Sequence, residues 1–131
     1  MKSHAIRLIK GMDLKEEIEK YSENNHIEAG CILSAVGCLN KLTLRTAGAK
    51  SIETVEDDFE IVSATGTISE NGCHIHISVS DDKLKTYGGH LENGCIVNTT
   101  VEFLLLELDE CSFSRAMDEN TGYKELVIRR K

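Results

Sequence analysis

Apolar residues recur along this chain mostly in alternation, and once at helical spacing. Ala5-Ile6-Arg7-Leu8-Ile9 reads as a first strand over residues 4–9, ended by Gly11. Leu14, Ile18 and Tyr21 then fall at i, i+4 and i+7, which is one stripe of a helix. Asp13 is placed to cap that helix, and Glu16 three residues later makes a capping-box-like pair. Lys15, Glu16, Glu19 and Lys20 would face water, with Glu16 and Lys20 in the favourable i,i+4 order. Asn24 and Asn25 stop the helix near residue 25.

Everything after it reads as strand and turn. Residues 30–38 are nearly all small or apolar, so both faces of that strand should be covered. Residues 40–47 follow, with Leu42 and Leu44 alternating with Thr43 and Arg45, and residues 48–57 read as an acidic loop. Phe59 to Ile68 forms a long strand, Asn71-Gly72 a hairpin turn and residues 73–80 its partner. Asp81-Asp82 starts another turn before a short strand from Lys85 to Leu91. Ile96 to Leu108, 111–117 and 124–129 complete the set. One main helix and seven or eight strands with short connections predict a mainly antiparallel sheet. The helix would cover one face, giving an α+β fold in a single domain over residues 1–131.

A chain of 131 residues has room for one core of this kind. No apolar run approaches the ~20 residues that span a bilayer, and no apolar leader block opens the sequence. The expectation is a cytoplasmic protein without a membrane partner. Acidic residues outnumber basic ones by 22 to 15, for a net charge of −7. That balance opposes DNA binding by the surface as a whole. Five cysteines, at 31, 38, 73, 95 and 111, make an odd number with no Cys-x-x-Cys pair. This argues against a disulfide framework or a thiolate zinc site and for small buried hydrophobes. Nucleotide-binding glycine loops and a Gly-x-Ser-x-Gly elbow are absent. Tryptophan is also absent, which weakens a base-stacking surface.

The informative stretch is Cys73-His74-Ile75-His76-Ile77-Ser78-Val79-Ser80. Alternate strand residues share a face, so His74, His76, Ser78 and Ser80 lie opposite an apolar face. The two imidazoles would sit about 6–7 Å apart at Cα, close enough to share one ion. If the next strand pairs back across the Asp81-Asp82 turn, Gly88-Gly89-His90 brings in a third. Three neutral imidazoles with an open fourth position are the ligands of many catalytic zinc sites, and suit other divalent transition metals. The alternative is a hydrogen-bonded polar cluster without metal. Glu102, beyond Asn98 and Thr100 on one face of its strand, could orient a histidine or act as a base, as could Glu60. Either can equally be a surface carboxylate. Arg115 offers a planar fork for a carboxylate, a phosphate or a neighbouring subunit; the ordinary alternative is an ion pair with Asp118 or Glu119.

Several segments in order carry a family resemblance. They are Glu60-Ile61-Val62-Ser63-Ala64-Thr65-Gly66, His74-Ile75-His76-Ile77-Ser78, Gly88-Gly89-His90-Leu91, Gly94, Thr100-Val101-Glu102 and Phe113-Ser114-Arg115, with Asp118 and Thr121-Gly122-Tyr123 after them. The chain resembles the plants-and-prokaryotes-conserved (PPC) domain in its stand-alone prokaryotic form. That form is often labelled a predicted DNA-binding protein, and the plant form accompanies AT-hook motifs in nuclear proteins. The resemblance implies a homotrimer and a divalent metal, zinc by preference, held by His74, His76 and His90. A neighbouring subunit would also cover the strands at 30–38 and 96–108, which one helix cannot. An AT-hook places Pro beside Arg and Gly, and this chain has no Pro.

Two functions follow as expectations. The first is a homotrimeric interaction or regulatory module with a three-histidine metal site, meeting itself and a regulator or DNA-bound protein. The second is a small zinc-dependent enzyme, with Glu102 or Glu60 moving protons. Direct DNA binding ranks below both, because three such chains would carry about −21.

Overall fold

Alternation dominates the chain, and strands dominate the fold. The structure, a computed structural model, describes every residue from Met1 to Lys131. The elements run β1 (Lys2–Ile9), α1 (Leu14–Asn24), β2 (Ala29–Arg45), β3 (Ile52–Ser69), β4 (Gly72–Ser80), β5 (Thr86–Leu91), β6 (Ile96–Glu107), β7 (Cys111–Met117) and β8 (Lys124–Arg130). This is the expected α+β fold, a mainly antiparallel sheet with one helix.

Three local readings change. The strands expected at 30–38 and 40–47 are one 17-residue strand, β2. Register shifts at Ile32/Ser34, Gly37/Cys38 and Leu39/Lys41 bend it without breaking it. The acidic loop expected at 48–57 becomes strand from Ile52, after a single 3₁₀ turn at Ala47–Ala49. Residues 52–58 are exposed, so their carboxylates stay in water while the backbone pairs with β2. The hairpin loop is Glu70-Asn71, and Gly72 (φ +109°) already pairs with Ser69. That geometry suits a turn followed by a glycine bulge better than an Asn-Gly turn.

The main sheet runs β1-β6-β2-β3-β4-β5, and β5 also meets the far end of β2 through Leu44↔Leu91 and Arg45↔His90. The sheet therefore curls back on itself. Its concave face holds the core, including Leu39, Phe59, Val79, Val97, Val101 and Leu105. Helix α1 closes the open side with Leu14 and Ile18, each burial contributing about 1.5–3 kcal/mol. Asp13 caps it as expected: Oδ1 accepts from the Glu16 amide at 3.1 Å. Oδ2 also accepts from the Gly94 amide at 2.6 Å, tying the helix to the loop before β6.

The helix's charge pairs are Lys15–Glu19 (2.8 Å) and Glu17–Lys20 (3.7 Å), in place of Glu16–Lys20. Lys15 and Glu19 are half-buried because the Glu19 carboxylate turns toward the Cys73 amide, 3.4 Å away. Strands β7 and β8 form a separate hairpin. Phe113 anchors it: its N–H donates to the Glu28 carbonyl and its carbonyl accepts from the Glu70 amide, each at 3.0 Å.

The convex face is uncovered within one chain. Leu33, Val36 and Leu104 are 53%, 56% and 45% exposed, so β2 and β6 are not apolar inside alone. All five cysteines are free, Cys95 buried and the others half-buried. No helix is long and apolar enough to cross a membrane.

Candidate metal centre

Strand alternation does what the sequence implied at β4. Ile75, Ile77 and Val79 are buried in the core, while His74 and His76 stand on the convex face. β5 then lies antiparallel to β4 with His90 directly opposite His76. Gly88 makes this pairing possible. A Cβ there would come within 2.1 Å of the Ile77 carbonyl oxygen. Next to it, a Cβ at Gly89 would sit 2.9 Å from the Arg45 carbonyl. β5 is thus wedged between β4 and the end of β2, and His90 emerges where all three meet.

The three rings converge. His74 and His76 bring their Nε2 atoms to 3.2 Å. Ring centroids are 5.0 Å apart for His74–His76, 5.0 Å for His74–His90 and 5.6 Å for His76–His90. One nitrogen from each ring lies within 4.8 Å of the others. Two imidazoles on a tetrahedral zinc have nitrogens about 3.3 Å apart, given Zn–N bonds of about 2.0–2.1 Å. The His74–His76 separation fits such an ion, and His90 lies within reach of the same point.

Electrostatics favour the ligand form of the rings. His90 is pushed down to about 4, first by burial and then by the Arg45 cation and the two other histidines. His74 is lowered by burial and then by Arg115 and His76. Both are neutral at pH 7, and a neutral imidazole is what a metal binds. Arg45 Nη2 lies 3.4 Å from His90 Nδ1, and the Glu92 carboxylate lies 3.9 Å from His90 Nε2. Two hollows flank the cluster. One of about 520 Å³ is walled by His76, His90, Arg45, Thr65 and Ser78. The other, of about 460 Å³, is walled by His74, His90, Arg45, Arg115, Tyr123 and Glu125.

The sequence profile of the Plants and Prokaryotes Conserved (PCC) domain matches residues 1–109. The chain belongs to the PCC-domain family. It is 40% identical over 129 residues to a bifunctional protein GlmU from a Synechococcus strain, covering 98% of this chain and 20% of that protein. The chain thus spans about a fifth of the length of the curated relatives it matches. A hypothetical protein from Salmonella enterica superimposes with a TM-score of 0.96 at 33% identity, covering 99% of this chain and 94% of that one. A metal-containing protein from Archaeoglobus fulgidus gives 0.78 at 30% identity, covering 97% and 94%.

The other candidates in this PCC domain do not join the histidines within one chain. Glu102 sits in register with Arg7 and Val36 and lines a separate hollow with Phe103 and Leu104. Thr99, at φ +62°, marks where β6 bulges against β2, between Asn98 and Val101. Glu60 pairs with Cys38 and Ser80 in mid-strand, in a fourth hollow with Asp58 and Asn98.

Arg115 forms no ion pair with Asp118 or Glu119. Its Nη2 donates to the Thr67 hydroxyl at 3.1 Å and its Nη1 to the Lys124 carbonyl at 3.4 Å. The β7–β8 hairpin carries it to the histidine cluster instead of along its own strand. Arg45 and Glu92 were missed in the sequence. Glu92 had a signal, being two residues after His90. Arg45 had none, because β5 meets β2 only through the curl of the sheet. His4, which carried no expectation, lies between the Tyr21 hydroxyl (3.0 Å) and Glu107 (2.9 Å). The thiols are unreactive candidates: burial pushes Cys73 up to about 12 and Cys95 up to about 11.

Proposed function

We propose that this PCC-domain protein is a self-associating module that holds a divalent transition metal, zinc by preference, at His74, His76 and His90. One observation carries the metal: three imidazoles, two of them held neutral, converge within 4.8 Å on paired strands. Strand backbone fixes their Cα positions, so little ordering remains to be done when an ion arrives. The metal-containing Archaeoglobus relative supports the same reading. Self-association rests on the exposed apolar face of Leu33, Val36 and Leu104, a surface better buried than wet, and the count of three copies rests on the family resemblance alone. A regulator or a DNA-bound protein is the further partner of such a module.

Elemental analysis of untagged protein tests the metal, beside the triple variant His74→Ala, His76→Ala, His90→Ala. About one zinc per chain in the first and none in the second is expected. No metal in either sinks the reading and leaves a polar histidine cluster. Light scattering on the same samples gives the number of copies, and a monomer would remove the self-association.

A second reading, a small metal-dependent enzyme, is favoured by the two hollows that open beside the histidines. In that reading Glu92 and Glu125, which lie nearer than Glu102 or Glu60, handle protons. Direct DNA binding is disfavoured by the charge of −7. A gel shift at low salt tests it, and retardation there would restore it.

A further inference from the structure

Two guanidiniums flank the histidine cluster, and no carboxylate matches either. Arg45 lines both hollows, and Arg115 lines the one shared with His74 and His90. Neither takes part in any ion pair, in a chain where acids outnumber bases by 22 to 15. Arg115 is steadied by Thr67 and the Lys124 carbonyl, yet its buried Nε–H has no acceptor. That Nε–H is closed off from solvent, so a ligand in the hollow would meet the terminal nitrogens of the fork.

Arg45 has one hydrogen-bond partner for its guanidinium, Nδ1 of His90. A neutral imidazole has a single in-plane lone pair. With a metal on Nδ1, that lone pair is taken. With a metal on Nε2, Nδ1 carries the ring proton and cannot accept. Loading His90 therefore frees Arg45 in either case. Three imidazoles are also a neutral ligand set. They leave the full charge of a divalent ion beside two guanidiniums. Glu92 and Glu125 are the carboxylates nearby, and neither bonds to Arg45 or Arg115.

We propose that Arg45 and Arg115 form an oxyanion clamp beside the metal site, and that its ligand or substrate is a small molecule bearing a carboxylate or phosphate. This rests on the metal reading of the cluster. A guanidinium fork matches either group with two parallel N–H bonds. A hollow of about 460 Å³ suits a small organic acid or phosphate ester. Metal and oxyanion then bind cooperatively, and the coupling is reciprocal. Arg115 lies on β7, beyond residues 1–109 of the family profile, so a peripheral hairpin supplies half of the clamp.

Calorimetry on the full chain tests this, with inorganic phosphate and malonate as probes and sodium chloride matching ionic strength. Zinc-loaded protein should bind one probe about tenfold or more tighter than zinc-free protein. Arg45→Ala and Arg115→Ala should each lose about tenfold or more of that affinity while keeping their zinc. Arg115→Gln, which retains a donor for Thr67, replaces Arg115→Ala if that variant unfolds. Preference for phosphate marks a phosphate ester, and preference for malonate a carboxylic acid. A chain that takes up zinc but neither anion overturns the clamp alone. Undiminished binding in Arg45→Ala also overturns it. A chain that takes up no zinc overturns the metal reading first, and the clamp with it.

Discussion

Arg45 Nη2 donates to Nδ1 of His90 across 3.4 Å, at the point where β5 closes back on β2. The same backbone pair that curls the sheet sets a permanent cation against a titratable ring. The cost of protonating His90 is thus built into the topology.

Acid should weaken the metal-free protein, because burial first and the Arg45 cation second oppose protonation of His90. His90 titrates near 4 in the folded chain and near the ordinary 6.5 when unfolded. The depressed value stabilises the fold fully above about pH 6.5 and is lost as pH falls toward about 4. Solvent screening reduces the loss to about 1–2 kcal/mol. Urea midpoints of metal-free wild type and His90→Gln, at pH 7.5 and 4.5, provide the check. Wild type should fall further between the two pH values; an equal fall removes His90 as the cause.

Gly88→Ala should loosen β5. The added Cβ would meet the Ile77 carbonyl at 2.1 Å, and backbone cannot rotate away as a side chain can. A destabilisation of about 1–3 kcal/mol is expected, together with loss of metal uptake, since His90 rides on the same strand. Denaturation and elemental analysis on one preparation read both effects. Unchanged zinc content would mean β5 tolerates the shift.

Asp13→Ala removes both the cap of α1 and the bond to the Gly94 amide. A cap alone contributes about 1 kcal/mol, so the loss should exceed that. Asp13→Asn, which keeps an acceptor oxygen, should recover part of it. Thermal melts of wild type and the two variants separate these contributions: Asp13→Asn melting with wild type would show that the second bond carries nothing, and Asp13→Asn melting with Asp13→Ala would show that the retained acceptor carries nothing.

Val36→Lys with Leu104→Lys should abolish self-association without unfolding the chain. Both side chains are exposed within one subunit, at 56% and 45%, so charge there costs little until a partner covers it. Light scattering should report the subunit mass, with an unchanged far-ultraviolet spectrum. An assembly that persists would move the interface elsewhere.

Local pattern was enough for most elements. Alternation at 73–80 put His74 and His76 opposite Ile75 and Ile77, and the stripe at Leu14, Ile18 and Tyr21 marked the helix. Alternation and helical spacing are short-range consequences of backbone geometry, so they survive in a linear reading. It was less informative at residues 52–58, where carboxylates suggested a loop. That first part of β3 is held by backbone pairing to β2 and buries nothing, so its composition is free.

The sequence by itself determined which face of β4 the histidines take, where the helix begins, and that His90 could reach them. Only the tertiary structure decided what surrounds them. Arg45 lies 45 residues from His90 and Arg115 lies 48 from Thr67; their meetings depend on the curl of β5 onto β2 and the docking of the β7–β8 hairpin. The same long-range geometry separated Glu102 and Glu60 from the cluster, setting one beside Arg7 and the other beside Ser80. Periodicity assigns a residue to a face. Which strands share that face is set by sheet order and closure, which no local pattern encodes.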